Sequence, residues 1–175
     1  MRCEPAMTLR PYLEFAGYNS WANLRLYDAA ARLDDADFRA GRGAFFGSVH
    51  GTLNHLLVAD RIWLDRFTQA DRPQPALDTI LHAALADLRA ARIAEDARIR
   101  AFIAGLDEAR LAAEFSYANS SGRRFTQVLS DALDHVFNHQ THHRGQVHCL
   151  LTMIGGRDAA PSLDLIAYQR EQRAG

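Results

Sequence analysis

Residues 135–146 read HVFNHQTHHRGQ, which gathers four of the chain's eight histidines into less than four helical turns. Imidazole is neutral near physiological pH and offers one nitrogen lone pair, so it can ligate a divalent metal or handle a proton. Three arrangements would account for such a cluster: a solvated polar helix face, a stack of buried structural rings, or a set of metal ligands.

Each helical residue advances about 100° around the axis, which allows the segment to be plotted. Phe125, Val128, Leu129, Ala132, Val136, Val147, Leu150 and Ile154 fall on one side, and His139 and His143 are expected in the middle of that apolar stripe. His135, His142 and Gln146 lie along one border. His148 points to the opposite side and is expected to be solvated, and Cys149 is also off the stripe. A polar face is therefore excluded for His139 and His143. Burying either ring with an unpaired nitrogen would cost about 1–3 kcal/mol. A divalent cation would take one nitrogen from each ring, and four-residue spacing stacks the two rings one turn apart. Periodicity leaves both the satisfied buried pair and the metal pair open.

A closed ligand set needs a contribution from a facing helix. The segment GSVHGTLNHLLVADRIW (residues 47–63) offers two histidines. Its main apolar face holds Phe46, Val49, Leu53, Leu57 and Leu64. His50 lies near the edge of that face. His55 lies across from it, on a second strip with Gly51, Ala59 and Ile62. Helical geometry does not choose between them; His82 is expected at the surface. Asp60 falls within the main apolar arc, and a buried acid needs a partner. It could orient a ligand histidine or accept a proton, but an ion pair with an arginine such as Arg144 is the simpler expectation.

The elements that must position these residues follow from the same periodicity. Helices are expected over about Thr8–Leu33, with Thr8 as N-cap and Pro11 in the first turn, then Phe45–Thr68, Asp78–Ile103 with Asp78 as a cap, and Phe125–Ile154 ending at Gly155-Gly156. LDDADFRAGRG and DRPQP separate the first three, and a short helix is expected after Pro161 through Leu163, Leu165, Ile166 and Tyr168. The GLDEARLAAEFSYANSSGRR connection is too long for a tight turn; NSSG reads as its tip, and Leu111, Phe115 and Tyr117 could lay it against the bundle. No alternating apolar run has strand length. The expectation is one all-α domain over residues 1–175, a four-helix bundle with a short additional C-terminal helix, in which residues 1–7 form a disordered tail and Met7 is a candidate start.

Bulk properties narrow the chemistry. Of 175 residues, 48% are hydrophobic and 23% charged, with net charge −1, which is globular composition without the clustered positive charge that phosphate binding requires. No apolar run spans a bilayer and no signal region opens the chain, so neither nucleic acid nor membrane is an expected partner and a cytoplasmic location is expected. Two cysteines, Cys3 and Cys149, cannot build a disulfide framework or a thiolate zinc site. His139-Gln-Thr-His-His143 lacks the glutamate of HExxH metalloproteases, and no Glu-x-x-His pair supports a di-iron site. Haem-attachment, P-loop and dinucleotide motifs are absent as well. Histidine without carboxylate points to one divalent transition metal (zinc, nickel, iron or manganese) rather than calcium or magnesium.

HVFNHQTHHRGQV, together with TLNHLLVADRIW and the opening YNSWAN, resembles the DinB/YfiT-like family of metalloenzymes, and the likeness runs on to the closing DLIAYQRE. HxxxHRGQ is the specific element. The resemblance implies a four-helix bundle, often a homodimer, with a divalent metal held by one histidine of the second helix and two of the fourth. The matching positions are His55, His139 and His143, so the family pattern selects His55 over His50. His135 and His142 are then extra rings that support the ligands or lie at the surface.

The resemblance also implies a small-molecule substrate, in some members a low-molecular-weight thiol transferred to an electrophile. Three neutral imidazoles leave a cation's charge uncompensated, so it can lower the pKa of a thiol or water and supply a nucleophile near neutral pH. The leading expectation is a metal-dependent thiol S-transferase; the alternatives are a metal-dependent hydrolase and a non-catalytic, metal-stabilised binding module. Asp60, His135 and Gln146 are the candidates for proton handling or ligand orientation. An open coordination position would favour an enzyme, and a fourth protein ligand a structural ion.

Overall fold

Pro11 at the start of a helix costs no hydrogen bond, because the first turn has no carbonyl to receive its missing N–H. It stands in the first turn of α1, Arg10–Ala30. A computed structural model describes residues 9–119 and 121–174. Thr8, Cys3 and the expected tail over residues 1–7 lie outside the described residues. LDDADFRAGRG interrupts the chain as expected but carries a helical turn of its own, α2 (Asp35–Arg39), capped by the Asp34 carboxylate accepting from the Asp37 N–H. The second long helix, α3 (Val49–Phe67), starts at Ser48, whose hydroxyl accepts from the Gly51 N–H.

The third long helix, α4, covers Leu85–Ala104 and so begins seven residues later than its periodicity suggests. Asp78 does not cap it. The backbone ahead of α4 is instead held by α3: the Leu77 and His82 carbonyls and the His82 N–H bond to His55, His50 and Asn54. Peptide groups engaged this way are not free to form helical bonds.

A short helix α5 (Glu108–Ala112) precedes strands β1 (Glu114–Ala118) and β2 (Arg124–Val128), which pair antiparallel with Phe115 opposite Gln127 and Tyr117 opposite Phe125. This hairpin corrects the expectation of no strands, and it takes Phe125 out of the fourth helix. Five alternating residues per strand are too few to stand out in the sequence. Leu111 and Phe115 are buried, so the connection does lie against the bundle. The fourth long helix, α6 (Leu129–Gly155), ends where Gly156 takes φ 79°, and α7 (Leu165–Ala174) is the expected C-terminal helix. No helix among the described residues is long and apolar enough to cross a membrane.

The fold is an all-α four-helix bundle. Helix α1 packs on α4 and α6, and α3 packs on α6 and α4, so α1 and α3 sit diagonally, as do α4 and α6. The α1–α3 and α4–α6 connections must therefore cross an end of the bundle, which explains their length. The arrangement also makes α3 the neighbour of α6.

Two apolar clusters fill the interior. One gathers Tyr12, Leu64, Phe67, Ile103, Leu133 and Phe137 at one end. The other gathers Leu26, Tyr27, Leu53, Leu57, Leu88 and Leu151 at the opposite end. Between them every long helix contributes polar side chains that are almost completely buried: Asn19 and Asn23, Asp60, Arg92 with Glu95 and Asp96, and Gln140 with Arg144. Arg92 stands 2.7 Å from Asp60 and 2.9 Å from Asp96, close in distance although not in line for hydrogen bonds. Asn19 and Asn23 donate to Asp96, and Gln140 donates to Asp60 and to the Leu56 carbonyl.

Asp60 is thus ion-paired as expected, but with Arg92 of α4 rather than Arg144. Removing one member of a buried pair strands the other, so Arg92→Met should lower unfolding stability by about 3–5 kcal/mol in urea denaturation followed by circular dichroism. A loss under about 1 kcal/mol would mean that this layer does not join the two core halves.

Candidate metal centre

The α3–α6 contact brings His55, His139 and His143 together: one ring nitrogen from each lies within 4.8 Å of the others, a group that can hold a metal ion. The His55 and His139 Nε2 atoms are 3.3 Å apart. That is long for an N–H···N hydrogen bond. It matches the roughly 3.3–3.4 Å between two nitrogens that share a tetrahedral ion at 2.0–2.1 Å each.

Two of the three tautomers are set by neighbours. A carbonyl can only accept, so the His55 Nδ1–H donates to the Leu77 carbonyl at 2.8 Å and leaves the Nε2 lone pair free. The His143 Nδ1 donates in the same way to Gln146 Oε1 at 2.8 Å. Metal-binding histidines are commonly held by an acceptor on the remote nitrogen in this manner. Burial pushes the His55 ring down to about 4, with the Leu77 bond opposing and His143 adding to the shift. Burial and then the neighbouring His143 and His55 rings bring His139 down to about 3. Burial also lowers His143. All three rings are therefore neutral at pH 7, the form that binds a cation.

His55 and His143 are buried, while His139 is half-buried. The two α6 rings thus sit at the edge of the buried arc rather than at its middle. The arc extends further round the helix than its aliphatic residues indicate, because Leu133, Phe137, Gln140, Arg144 and Leu151 are all inside. An edge position suits a site that must be reached from solvent. No fourth histidine, cysteine or carboxylate joins the three among the described residues. On the outward side, His139 borders a surface depression that it shares with His135, Asn138 and His142.

The other candidates separate cleanly. Gln146 accepts from the His143 Nδ1–H through Oε1, and its amide N–H also reaches His142. His135 is exposed, 5.8 Å ring to ring from His139 and 5.1 Å from Trp63, within reach of the open side. Asp60 is occupied by Arg92 and Gln140, and no histidine hydrogen-bonds to it among the described residues. His50 is buried with its Nε2–H donating to the His82 carbonyl at 3.0 Å, a satisfied structural ring. His82 and His148 are half-buried rather than solvated, and Cys149 is exposed.

Two features were not legible beforehand. Phe46, assigned to the α3 apolar face, lies ahead of the helix and stacks on His55 at 3.6 Å and 15°. Ser48 could have revealed this, since a serine immediately before an apolar-periodic run marks a helix start. Gly51 allows the fold-back, because a Cβ there would collide with the Phe46 carbonyl. The Leu77 carbonyl is a backbone group, for which side-chain patterns carry no signal.

The depressed ring pKa values have a signed consequence. Between the ordinary value of 6.5 and about 4, the unfolded chain takes up protons that folded His55 and His139 do not. Stability of the metal-free protein should therefore be present above pH 6.5 and fall as the pH drops through that window. Urea midpoints for wild type and a His55→Gln/His139→Gln double variant measure it: the fall should be shallower in the variant, and identical slopes would contradict the assignment.

A family model of the DinB family matches residues 7–174. No curated protein matches the chain. Among solved structures, it is similar to the crystal structure of a DinB-like protein from Bacillus cereus, with a TM-score of 0.58 and 15% identity over 77% of this chain and 87% of that one. At such identity the likeness concerns the fold, and the fold agrees with the family match. With its helical bundle and its histidines meeting across α3 and α6, the chain belongs to the DinB family.

Proposed function

We propose that His55, His139 and His143 bind one divalent transition metal ion and that the protein is a metal-dependent enzyme. The observation that carries this reading is the convergence of three neutral imidazole nitrogens, two with their tautomers set by remote acceptors, beside a depression with no fourth ligand among the described residues. A purely structural ion would favour a closed shell of four. Zinc, nickel, iron and manganese all accept imidazole.

The leading reaction is transfer of a low-molecular-weight thiol to an electrophile. It is favoured by the HxxxHRGQ resemblance and by a proton acceptor on the open side. A bound divalent cation supplies a lowered thiol pKa and stabilises developing negative charge. The Leu77 carbonyl and Gln146 aim the ligand rings, and Phe46 shields the face of His55 from water. His135, exposed on its outer edge but partly desolvated by its neighbours and repelled by the Arg66 charge, is held below the ordinary histidine pKa, is neutral at pH 7 and accepts the thiol proton. The sulfur then forms the new carbon–sulfur bond as the leaving group departs with that proton. With water in place of the thiol, the same arrangement would serve the alternative hydrolase.

Elemental analysis of protein purified without a histidine tag or nickel resin should find one metal per chain, absent from His139→Ala and His143→Ala. Stoichiometric metal in the double variant would refute the site. Gln146→Leu should weaken metal affinity about 10- to 100-fold by releasing the His143 ring. For the reaction, loss of free thiol is followed with glutathione, bacillithiol or mycothiol and an electrophile. Consumption should require the metal and collapse in His139→Ala, and inactivity with every thiol would remove the transferase reading in favour of hydrolysis or binding.

A further inference from the structure

A second cavity lies on the other flank of α6, between α1 and α7, with a volume of about 320 Å³. That is enough for a small organic molecule. Its walls are apolar: Phe15 from α1, Phe137 from α6 and Leu165 from α7. At its deep end is Arg144, only 2% exposed. Thr141 and Asp134, both exposed, stand at the rim.

Arg144 differs from the other guanidinium of the polar layer. Arg92 has two carboxylates within 2.9 Å. Arg144 has none at ion-pair distance: it donates to the Asn19 amide oxygen and, at 3.2 Å, to the Thr141 hydroxyl, and its Nε–H has no partner. Asp96 reaches it only indirectly, through Asn19. A buried guanidinium held by two neutral oxygens and lying 5.2 Å from the centroid of the Tyr18 ring, which also lines the cavity, has more N–H donors than these partners use and retains capacity for an anion.

We propose that this cavity binds a small amphipathic monocarboxylate, its carboxylate on Arg144 and its hydrocarbon body between Phe15, Phe137 and Leu165. A planar guanidinium fork suits a carboxylate. The apolar walls reject inorganic anions, which have nothing to place there. Asp134, whose carboxylate also accepts from the Tyr12 hydroxyl at 3.0 Å, puts negative charge at the rim and disfavours multiply charged ligands. The cavity shares Asn138 and Thr141 with the depression beside His139, but none of His55, His139 and His143 lines it, and it does not depend on a metal being bound.

The test is a titration of the isotopically labelled full chain with phenylacetate, with neutral phenylacetamide and inorganic phosphate as the other arms, read by amide chemical shifts. Phenylacetate should give saturable shifts around Thr141, Arg144 and Leu165. It should bind at least about tenfold more tightly than phenylacetamide, as a charge-assisted hydrogen bond requires, and phosphate should have no effect there. Arg144→Met should abolish binding of phenylacetate, and Leu165→Trp, which enlarges a wall of the cavity and leaves the Arg144 side chain in place, should do the same while metal content is unchanged, so the test stands even if Arg144→Met fails to fold. Equal binding of acid and amide, shifts confined to the histidine cluster, phosphate binding at Arg144, unaltered binding by Leu165→Trp, or no saturable binding would each overturn the proposal.

Discussion

Arg92 cannot be buried alone, and that constraint orders the middle of the bundle. Its charge is met by Asp60 from α3 and Asp96 from its own helix, while Asn19, Asn23 and Gln140 complete the surroundings from α1 and α6. An apolar core can tolerate a shifted helix if volume is kept. A buried ionic layer cannot, because a shift would strand a charge in a dry interior. The two apolar halves supply non-directional cohesion, and the layer between them supplies register.

The histidine cluster inherits that register. Gln140 follows His139 in sequence and Leu56 follows His55, and the Gln140 side chain bonds the Leu56 carbonyl as well as Asp60. The strut that holds α6 on α3 is therefore adjacent to two of the three rings it brings together. The charged layer and the neutral cluster also divide the work: ionic groups lie deep, where every helix can satisfy them, and the two α6 imidazoles lie at the edge of the buried arc, His139 beside a surface depression. Phe46 and the Leu77 carbonyl then close over His55 from segments with no regular structure.

Much of this was readable in the residues. Spacing alone stacked His139 on His143 and excluded a polar face, and the two rings do meet, with His143 buried and His139 half-buried. The four long helices were foreseen, although α4 began late and α6 lost its first turn to a hairpin. In both places the backbone found partners outside the helix: α3 side chains hold the segment before α4, and β1 pairs with residues 124–128. Such long-range partners leave no local periodicity.

The sequence by itself determined which side chains could bind a metal, and that a buried acid at Asp60 needed a partner. It did not determine which histidine of α3 would meet the α6 pair, or which arginine would meet the acid. Periodicity places residues around one helix axis and says nothing about which helices are neighbours. His50 and His55 were indistinguishable on that basis until the family pattern separated them. Only tertiary structure, by setting α3 beside both α4 and α6, paired Asp60 with Arg92, left Arg144 without a carboxylate, and brought His55 opposite His139. Those outcomes depend on distances between segments far apart in the chain, and no local spacing encodes them.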